Sequence, residues 1–266
     1  MSWFRLRSLR MTRGNRDAPP PSQTPERELR LRMRRAFLTL GVGAAAGFAG
    51  WRWLRSRPEI DGLAQPFRRM LQFNERVAGA YFDERHLAAV YPASAIQPMR
   101  TNGDIGLGDD YDPQNWRLAI KPLPGRGEVR YLTLADIRAL PQVEHITQLK
   151  CIEGWSVVTH WAGARFMDFT EQFAPESKSA PYIGMQTPDE EYFVGLDRAS
   201  AMHPQTLLCY EMNGAPLTLE HGAPLRLATP VKYGIKNLKR IGTITYSTER
   251  PNDYWAEQGY DWYAGM

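Results

Sequence analysis

Hydrophobic and polar positions change their period along the chain, and the changes predict the order of secondary structure. Apolar residues recur at helical spacing through residues 61–90, which predicts one or two helices over the surface of a domain. Thr133 and Asp136 form a helix-start signature, and Pro141 follows eight residues after Thr133. A short helix is therefore expected over residues 133–140.

Short runs rich in Val, Thr and Tyr predict strands between Gly, Pro, Asn and Asp residues. The runs are residues 116–120, 155–159, 182–185, 192–196, 207–212, 225–227 and 241–247. Residues 99–112, rich in glycine and aspartate, predict a loop that lacks the setting of a dinucleotide-binding turn. There is no internal repeat, so the pattern predicts a mixed, strand-dominated α+β fold.

Charge divides the chain into two parts. The 266 residues carry a net charge of +4, but residues 1–57 hold 13 arginines and three acidic residues. Residues 58–266 hold 20 basic and 26 acidic residues. The part long enough to form a core is acidic, which argues against nucleic-acid binding and makes residues 58–266 the predicted functional domain.

The basic part begins with residues 1–35, rich in Arg, Pro and Ser, which predict a disordered leader. Residues 36–57 open with an uncharged stretch that follows Arg34 and Arg35 and includes Phe37 and Leu38. This pattern is typical of a twin-arginine export signal. A short membrane anchor flanked by arginines is the alternative, and the two are compatible. We favour an uncleaved anchor with the domain on the exported side.

Two cysteines are present, Cys151 and Cys209, so no disulfide framework is expected, although a single bridge stays open. Cys209 lies in a run typical of a buried strand, where it would pack. A cysteine such as Cys151 is also usually inert core. Its neighbours Lys150, Glu153 and Gly154, however, predict a strand end at a site, with the lysine favouring the thiolate.

Residues 221–241 form a basic segment inside the acidic domain. Glycines, prolines and a histidine lie among its five cations, Arg226, Lys232, Lys236, Lys239 and Arg240. This composition predicts an anion cradle in which Arg contributes bidentate contacts and Lys contributes point charge. A solvated basic face is the alternative.

Three stretches together resemble the sulfite oxidase family of molybdopterin enzymes. They are residues 151–156, residues 201–207, and residues 221–226 continuing to Lys236. The resemblance covers residues 115–255 and is greatest to the heme-free bacterial branch of periplasmic methionine sulfoxide reductase catalytic subunits. It implies a sulfite oxidase-type molybdopterin-binding fold for residues 58–266.

The resemblance also implies roles for individual residues. Cys151 would be the molybdenum ligand, which suits a soft thiolate, and would be catalytic together with Trp155. His221 and Arg226 would bind the cofactor phosphate. The other implied cofactor contacts are Asn102 and Gly103 in the first loop, Thr187 after its strand, and Asn237, Leu238 and Lys239 at the pterin end.

The reaction implied is oxygen-atom transfer, in which the cofactor carries the chemistry. Sulfite is a dianion, and its enzymes place arginines where this chain has Trp155 and Ser156. A neutral S-oxide or N-oxide is therefore favoured over sulfite, with methionine sulfoxide as the first choice. Two alternatives from other classes are a cysteine hydrolase that pairs Cys151 with His160 or His203, and an anchored anion-binding protein without turnover.

Partners and location follow from the same resemblance. The chain has no Cys-x-x-Cys-His motif, so no tightly bound heme is expected. Electrons would come from a membrane heme or quinol-linked donor, and the substrate would be an oxidised protein or a small S-oxide. The twin-arginine route exports folded proteins, which suits a periplasmic enzyme that receives its cofactor before export.

Overall fold

The computed structural model describes residues 26–108 and 111–266, and the chain divides into two compact units at Ser56. Of the expected disordered leader, residues 1–25 lie outside the described residues. Residues 26–35 are helical, because α1 (Glu26–Arg55) begins at Glu26. The expectation of disorder is wrong for these ten residues, where ion pairs four residues apart, such as Arg30 with Glu26 at 2.9 Å, support the helix.

The uncharged stretch of residues 36–51 lies in the middle of α1, and every residue of this helix is at least partly exposed. The apolar side chains alternate with Gly and Ala, and the flanking turns are rich in arginine. Among residues 26–108 and 111–266, no helix is both long enough and apolar enough to cross a membrane.

The second unit, residues 57–266, contains the remaining helices and all the strands described. The helices are α2 (Gln65–Tyr81), α3 (Leu134–Arg138), α4 (Phe166–Phe173), α5 (Arg198–Ala201) and α6 (Tyr254–Glu257), with short 3-10 turns at Ala93–Ala95, Pro175–Ser177, Leu219–His221 and Gly234–Lys236. The strands are β1 (Glu59–Ile60), β2 (Leu63–Ala64), β3 (Leu118–Lys121), β4 (Arg130–Leu132), β5 (Gln142–Lys150), β6 (Ser156–Arg165), β7 (Tyr182–Gln186), β8 (Phe193–Asp197), β9 (Leu207–Met212), β10 (Ala215–Pro216), β11 (Arg226–Ala228) and β12 (Thr243–Ser247).

Two five-stranded sheets organise this unit. The first has the order β10-β9-β6-β5, with β11 also paired to β9, and all its pairs are antiparallel. The second has the order β4-β3-β12-β7-β8 and is mixed, since β3 and β12 run parallel. The predicted strand-dominated α+β fold is confirmed.

Local predictions agree with most of these elements. Strand β9 has the predicted bounds, and Thr133 caps α3 through a reciprocal capping box with Asp136. The sequence interpretation missed β5 and α4. Most of β5 is half-exposed and carries few consecutive apolar residues, whereas the apolar side of α4 is concealed within a run of aromatic residues.

The main core contains side chains from both sheets and from α4. Ile120 and Ile244 of the second sheet, Leu208 of the first, and Phe166 and Phe169 of α4 are all fully buried in one cluster. Each such side chain stabilises the fold by about 1.5–3 kcal/mol relative to an exposed one. The packed core fixes the sheet ends where the site lies.

Buried Arg68 of α2 joins this helix to the C-terminal segment. Its guanidinium donates to the carbonyl oxygens of Ile60 at 3.3 Å, Asp61 at 2.6 Å, Ala256 at 2.7 Å and Tyr260 at 2.9 Å. Four acceptors satisfy most of the donors of the side chain. Helix α2 is therefore firmly attached to residues 256–260.

Candidate active site

Cys151 is the first residue after β5, where the predicted strand end is confirmed. Its N–H donates to the carbonyl of Trp155 at 2.9 Å, and the N–H of Gly154 donates to the Cys151 carbonyl at 3.1 Å. Gly154 has φ +89°, which glycine adopts without strain. Both cysteines are free, so the possible bridge to Cys209 is not formed.

The protonation of Cys151 differs from the sequence interpretation. Burial is the largest cause that raises the pKa of its thiol, and the Glu153 carboxylate raises it further. Lys150 does not lower it, so the expected thiolate is not favoured by the neighbouring protein groups. The protein by itself keeps this cysteine protonated at neutral pH, and a bound cation would be needed to displace the proton.

The basic segment packs directly against the end of β5. A Cβ added at Gly234 would lie 3.4 Å from the Lys150 carbonyl oxygen and 3.7 Å from the Cys151 Cα. Tyr192 fastens the same turn, because its hydroxyl donates to the Ile235 carbonyl at 2.6 Å. The end of β5 and the basic segment therefore form adjoining walls of the candidate site.

One pocket collects most of the residues that the resemblance implied. The predicted residues that line it are Asn102, Gly103, Cys151, Trp155, His221, Arg226, Asn237 and Lys239. Two predicted contacts, Thr187 and Leu238, do not line it. The structure therefore brings the proposed metal ligand and the proposed phosphate contacts into a single cavity.

Arg226 is the unusual group in this pocket. Its side chain is 3% exposed, its Nη1 donates to the His221 carbonyl at 3.0 Å, and its guanidinium lies 4.6 Å over the Trp161 ring. The Nε has no hydrogen-bond partner, and Arg226 makes no salt bridge with any described residue. Burial lowers its pKa to about 10. A buried cation without a carboxylate is costly, so the site favours an anion.

His221 and Lys239 complete the cationic wall. The Nδ1 of His221 is buried without a partner, and burial lowers the histidine pKa, with further lowering by Arg226 and Lys239. The Lys239 Nζ donates to the carbonyls of Asn102 at 2.8 Å and Gly103 at 2.9 Å, and burial lowers its pKa to about 8. Lys239 thereby attaches the first predicted cofactor loop to the basic segment.

Three cations of the predicted cradle do not line the pocket. Lys232 pairs with Asp197 at 3.1 Å, Lys236 pairs with Asp253, and Arg240 donates to the Gly108 carbonyl at 3.2 Å. All three side chains are buried, so the alternative of a solvated basic face is wrong. Their partners lie far away in sequence, so composition alone could not reveal that these charges are neutralised or used internally.

Thr187 and Leu238 stay predicted cofactor contacts, and in the structure their polar groups make bonds within the protein. The Thr187 hydroxyl donates to Asp189 at 2.5 Å and accepts the N–H of Tyr192 at 3.1 Å. Leu238 is fully buried, its N–H donates to the Lys236 carbonyl at 3.0 Å, and its carbonyl accepts the N–H of Leu227 at 2.8 Å. These bonds fix the positions of both residues behind the lining of the pocket.

Asn237 lines the pocket, but its side-chain amide is also engaged. The Oδ1 accepts the N–H of Thr229 at 2.8 Å, and the Nδ2 donates to the Tyr233 carbonyl at 3.2 Å. These bonds hold residues 229–237 as a fixed turn. Asn237 therefore shapes the wall beside Arg226.

The rim of the pocket combines an indole with two charges. The Trp155 Nε1 donates to Glu153 Oε2 at 2.9 Å, and the Asn102 amide donates to the same oxygen at 3.4 Å. The Arg100 guanidinium lies 5.4 Å over the Trp155 ring. The sequence interpretation had Trp155 take the place of an arginine and remove a positive charge from the rim. In the structure, Arg100 from another loop adds a positive charge beside the Trp155 ring.

The cysteine hydrolase hypothesis requires a histidine beside Cys151. His160 instead contacts Glu144 at 3.1 Å, and buried His203 accepts the N–H of Gln205 at 3.2 Å. Neither histidine lines the Cys151 pocket. This hypothesis is therefore wrong.

Several pocket residues were missed in the sequence. Tyr192, Trp255 and Tyr260 all line the cavity, next to Arg100 of the first predicted cofactor loop. Of the missed residues, Tyr192 follows the predicted turn before β8. Trp255 and Tyr260 belong to an aromatic cluster in residues 254–263, whose density could have indicated a contribution to a site. No local pattern shows that this segment returns to β5.

Comparisons with known proteins found a matching family and several relatives. Residues 106–255 match the family described as oxidoreductase molybdopterin binding domain. The chain is 32% identical over 242 residues to a protein of Azospira oryzae named as a candidate protein-methionine-sulfoxide reductase subunit, YedZ1, and the match covers 89% of each chain.

Two further relatives are named protein-methionine-sulfoxide reductase catalytic subunit MsrP. The relative in Campylobacter jejuni is 32% identical over 61% of this chain and 60% of its own length. The one in Xanthomonas axonopodis is 37% identical over 45% of this chain and 41% of its own length. The crystal structure of sulfane dehydrogenase SoxCD from Paracoccus pantotrophus is 15% identical, with a TM-score of 0.48, over 63% of this chain and 46% of that one.

Proposed function

The chain belongs to the family of oxidoreductases with a molybdopterin-binding domain, and on that premise we propose that it reduces S-oxides, methionine sulfoxide being the first candidate. The observation that carries the proposal is that Cys151 and the unpaired, buried Arg226 line the same pocket. The relatives named for methionine sulfoxide reduction support the choice of substrate.

The pocket fits the family cofactor. Arg226 Nε and His221 Nδ1 are buried donors or acceptors without partners, and Lys239 adds a third positive or polar group. Such a set matches a phosphate, which takes charge-assisted hydrogen bonds. Cys151 offers the soft sulfur that suits molybdenum. When bound, the molybdenum cofactor supplies the two-electron chemistry of oxygen-atom transfer.

The protein residues at the rim favour a neutral substrate. The Glu153 carboxylate accepts the Trp155 indole N–H at 2.9 Å, and its negative charge at the rim disfavours a dianion such as sulfite. Because Glu153 occupies the indole N–H, Trp155 offers the substrate its aromatic face. The Arg100 guanidinium, 5.4 Å from the centre of the Trp155 ring, is a donor for a polar S-oxide oxygen.

Location and electron supply are part of the same proposal. Arg34 and Arg35, followed by Phe37 and Leu38, support export by the twin-arginine route to the periplasm. The chain has no heme attachment motif, which supports electron supply by a separate membrane heme or quinol-linked donor. The names of the relatives designate them as subunits, which is consistent with a partner.

The test uses the full chain purified from a host able to make the cofactor. We expect molybdenum and pterin to copurify, and reduction of methionine sulfoxide with a reduced viologen dye as donor. Sulfite oxidation, followed with ferricyanide as acceptor, should be much slower. A folded protein without molybdenum would support anion binding without turnover and overturn the proposal. Faster sulfite oxidation than sulfoxide reduction would overturn the substrate.

A matched pair of cysteine variants tests the metal ligand. Cys151→Ser should abolish sulfoxide reduction while the pterin stays largely bound, because Arg226, His221 and Lys239 are intact. Cys209→Ala changes a fully buried thiol that packs beside Trp161 and should retain activity. Activity in Cys151→Ser would overturn its role as the metal ligand, and loss of pterin there would make the thiolate an anchor as well.

A further inference from the structure

The outward face of α2 carries a stripe of exposed apolar side chains. Spacings of three and four residues place them on one face of the helix. They are Phe67, Met70, Phe73, Val77 and Tyr81, with exposed fractions of 51%, 59%, 54%, 40% and 82%. From Phe67 to Tyr81 the helix rises about 21 Å. A contiguous apolar surface of this kind marks an interaction site more often than a solvated face.

The opposite face of α2 is anchored to the domain. Buried Arg68 donates to four carbonyl oxygens, including those of Ala256 and Tyr260. Glu75 pairs with Arg250 at 2.8 Å. The stripe therefore projects from a rigid support and cannot turn inward without breaking these bonds.

The charges beside the stripe are positive. Arg69 and Arg76 are exposed, make no salt bridge with any described residue, and the Arg76 guanidinium lies 5.9 Å over the Phe73 ring. Glu75, the acidic residue of α2, is already neutralised by Arg250. The face is therefore locally cationic, although residues 58–266 carry more acidic than basic residues.

We propose that this face of α2 docks on an anionic phospholipid surface. Helices that lie on membranes combine a stripe of Phe, Met and Tyr with arginines at its border, which bind lipid phosphates. An apolar protein groove would satisfy the stripe but would give Arg69 and Arg76 no anionic partner. The acidic remainder of the domain is repelled by the same surface, which favours a single orientation on the membrane.

Docking would also fix the orientation of the active site. Arg68 joins α2 to the carbonyl of Tyr260, whose residue lines the Cys151 pocket. Because Arg68 is buried and donates four such bonds, the pocket and the apolar stripe move as one body. An enzyme held in this way presents its pocket at a constant height above the lipid. This inference does not depend on which oxide is reduced.

Photocrosslinking in the full chain identifies the occupant. Phe73→p-benzoylphenylalanine places the probe in the stripe, and Tyr131→p-benzoylphenylalanine places it at an even more exposed aromatic position of β4, 69% against 54% for Phe73. Each protein is irradiated with vesicles of phosphatidylcholine alone or with added phosphatidylglycerol. Mass spectrometry of the adducts then separates lipid, a second copy, and contacts within the chain. The local probe distinguishes α2 from any binding by α1.

The proposal predicts lipid adducts at position 73 with phosphatidylglycerol vesicles, and few at position 131. Combining the probe with Arg69→Gln and Arg76→Gln should lower the lipid adducts by at least about tenfold, because each arginine near an anionic surface contributes about fivefold. Equal lipid yields at both positions, yields that do not depend on phosphatidylglycerol, or adducts only to protein would overturn it. Circular dichroism of each variant confirms that the irradiated protein is folded.

Discussion

Lys236 donates a hydrogen bond to Asp253 in the interior, with 2.5 Å between Nζ and Oδ2, and the pair fixes the helix that supplies Trp255 to the pocket. Asp253 also caps α6 by accepting the N–H of Ala256 at 3.1 Å, and Lys236 donates to the Gly195 carbonyl at 2.8 Å. One buried ion pair thus joins the basic segment, β8 and the C-terminal segment.

Breaking this pair should destabilise the fold. Asp253→Asn leaves Lys236 buried without a negative partner, and we expect a loss of about 3–5 kcal/mol in the free energy of unfolding, measured by urea denaturation. Removing both charges, in Lys236→Met with Asp253→Asn, should recover part of that loss because no buried charge remains. Equal stability of Asp253→Asn and the wild type would contradict the structural role of the pair.

Arg226 should separate cofactor binding from folding. In Arg226→Met the unpaired buried charge is gone, so the cofactor-free chain should be at least as stable as the wild type. Cofactor retention should fall by about tenfold or more, since hydrogen bonds to charged groups contribute about 1.5–3 kcal/mol. Molybdenum and pterin content after dialysis measures the retention.

Arg240→Met is the matched control for Arg226, because Arg240 is also buried and in the same segment but does not line the pocket. We expect normal cofactor content in this variant, with some loss of stability from the contact with Tyr111. Equal cofactor loss in both variants would indicate that folding, rather than phosphate binding, explains the Arg226 result.

Lys239 should produce opposite pH dependences in two measurements. Burial lowers its pKa from 10.5 to about 8, so its charge is lost as pH rises through 8, and cofactor affinity should fall between pH 7 and 9. The unfolded chain holds this proton up to about pH 10.5. Between pH 8 and 10.5 the unfolded state therefore binds more protons, and the stability of the cofactor-free chain should rise with pH.

Lys239→Arg provides the control for this titration, since the guanidinium stays protonated throughout the range. Cofactor affinity in this variant, measured by equilibrium dialysis, should be nearly constant from pH 7 to 9. An equally steep decline in the variant and the wild type would assign the titration to another group.

Glu153 should act as a positioning residue for Trp155. Glu153→Leu removes the acceptor of the indole N–H. The variant loses one hydrogen bond of about 1 kcal/mol and, with it, the fixed position of the indole at the rim. We therefore expect KM for methionine sulfoxide to rise by about tenfold, with a smaller change in kcat. Glu153→Gln keeps an acceptor and should restore most of the affinity. Steady-state kinetics of both variants, with molybdenum content as normalisation, check this.

The negative charge of Glu153 makes a second prediction on the same variants. Without the carboxylate, sulfite should become a better ligand, so inhibition of sulfoxide reduction by sulfite should strengthen in both Glu153→Leu and Glu153→Gln. Unchanged inhibition in both would show that Glu153 does not select against dianions.

The sequence alone predicted the mixed, strand-dominated fold, because turn residues and apolar alternation act over a few neighbouring positions. It also predicted that Cys151 lies at a strand end, and eight of the ten site residues that the family resemblance implied line the pocket. Strand β9 and the cap at Thr133 were predicted correctly for the same reason: their determining contacts are local.

Only the tertiary structure decided which cations of the basic segment face the pocket. Lys232, Lys236, Lys239 and Arg226 have similar sequence surroundings, yet two of them pair with Asp197 and Asp253 in the interior. Arg226 stays without a carboxylate, and Trp255 reaches the pocket from the end of the chain. Which cation is neutralised, and which side chain lines the cavity, depends on contacts between residues that are tens of positions apart. The packing of the two sheets establishes these contacts, and no local sequence pattern encodes them.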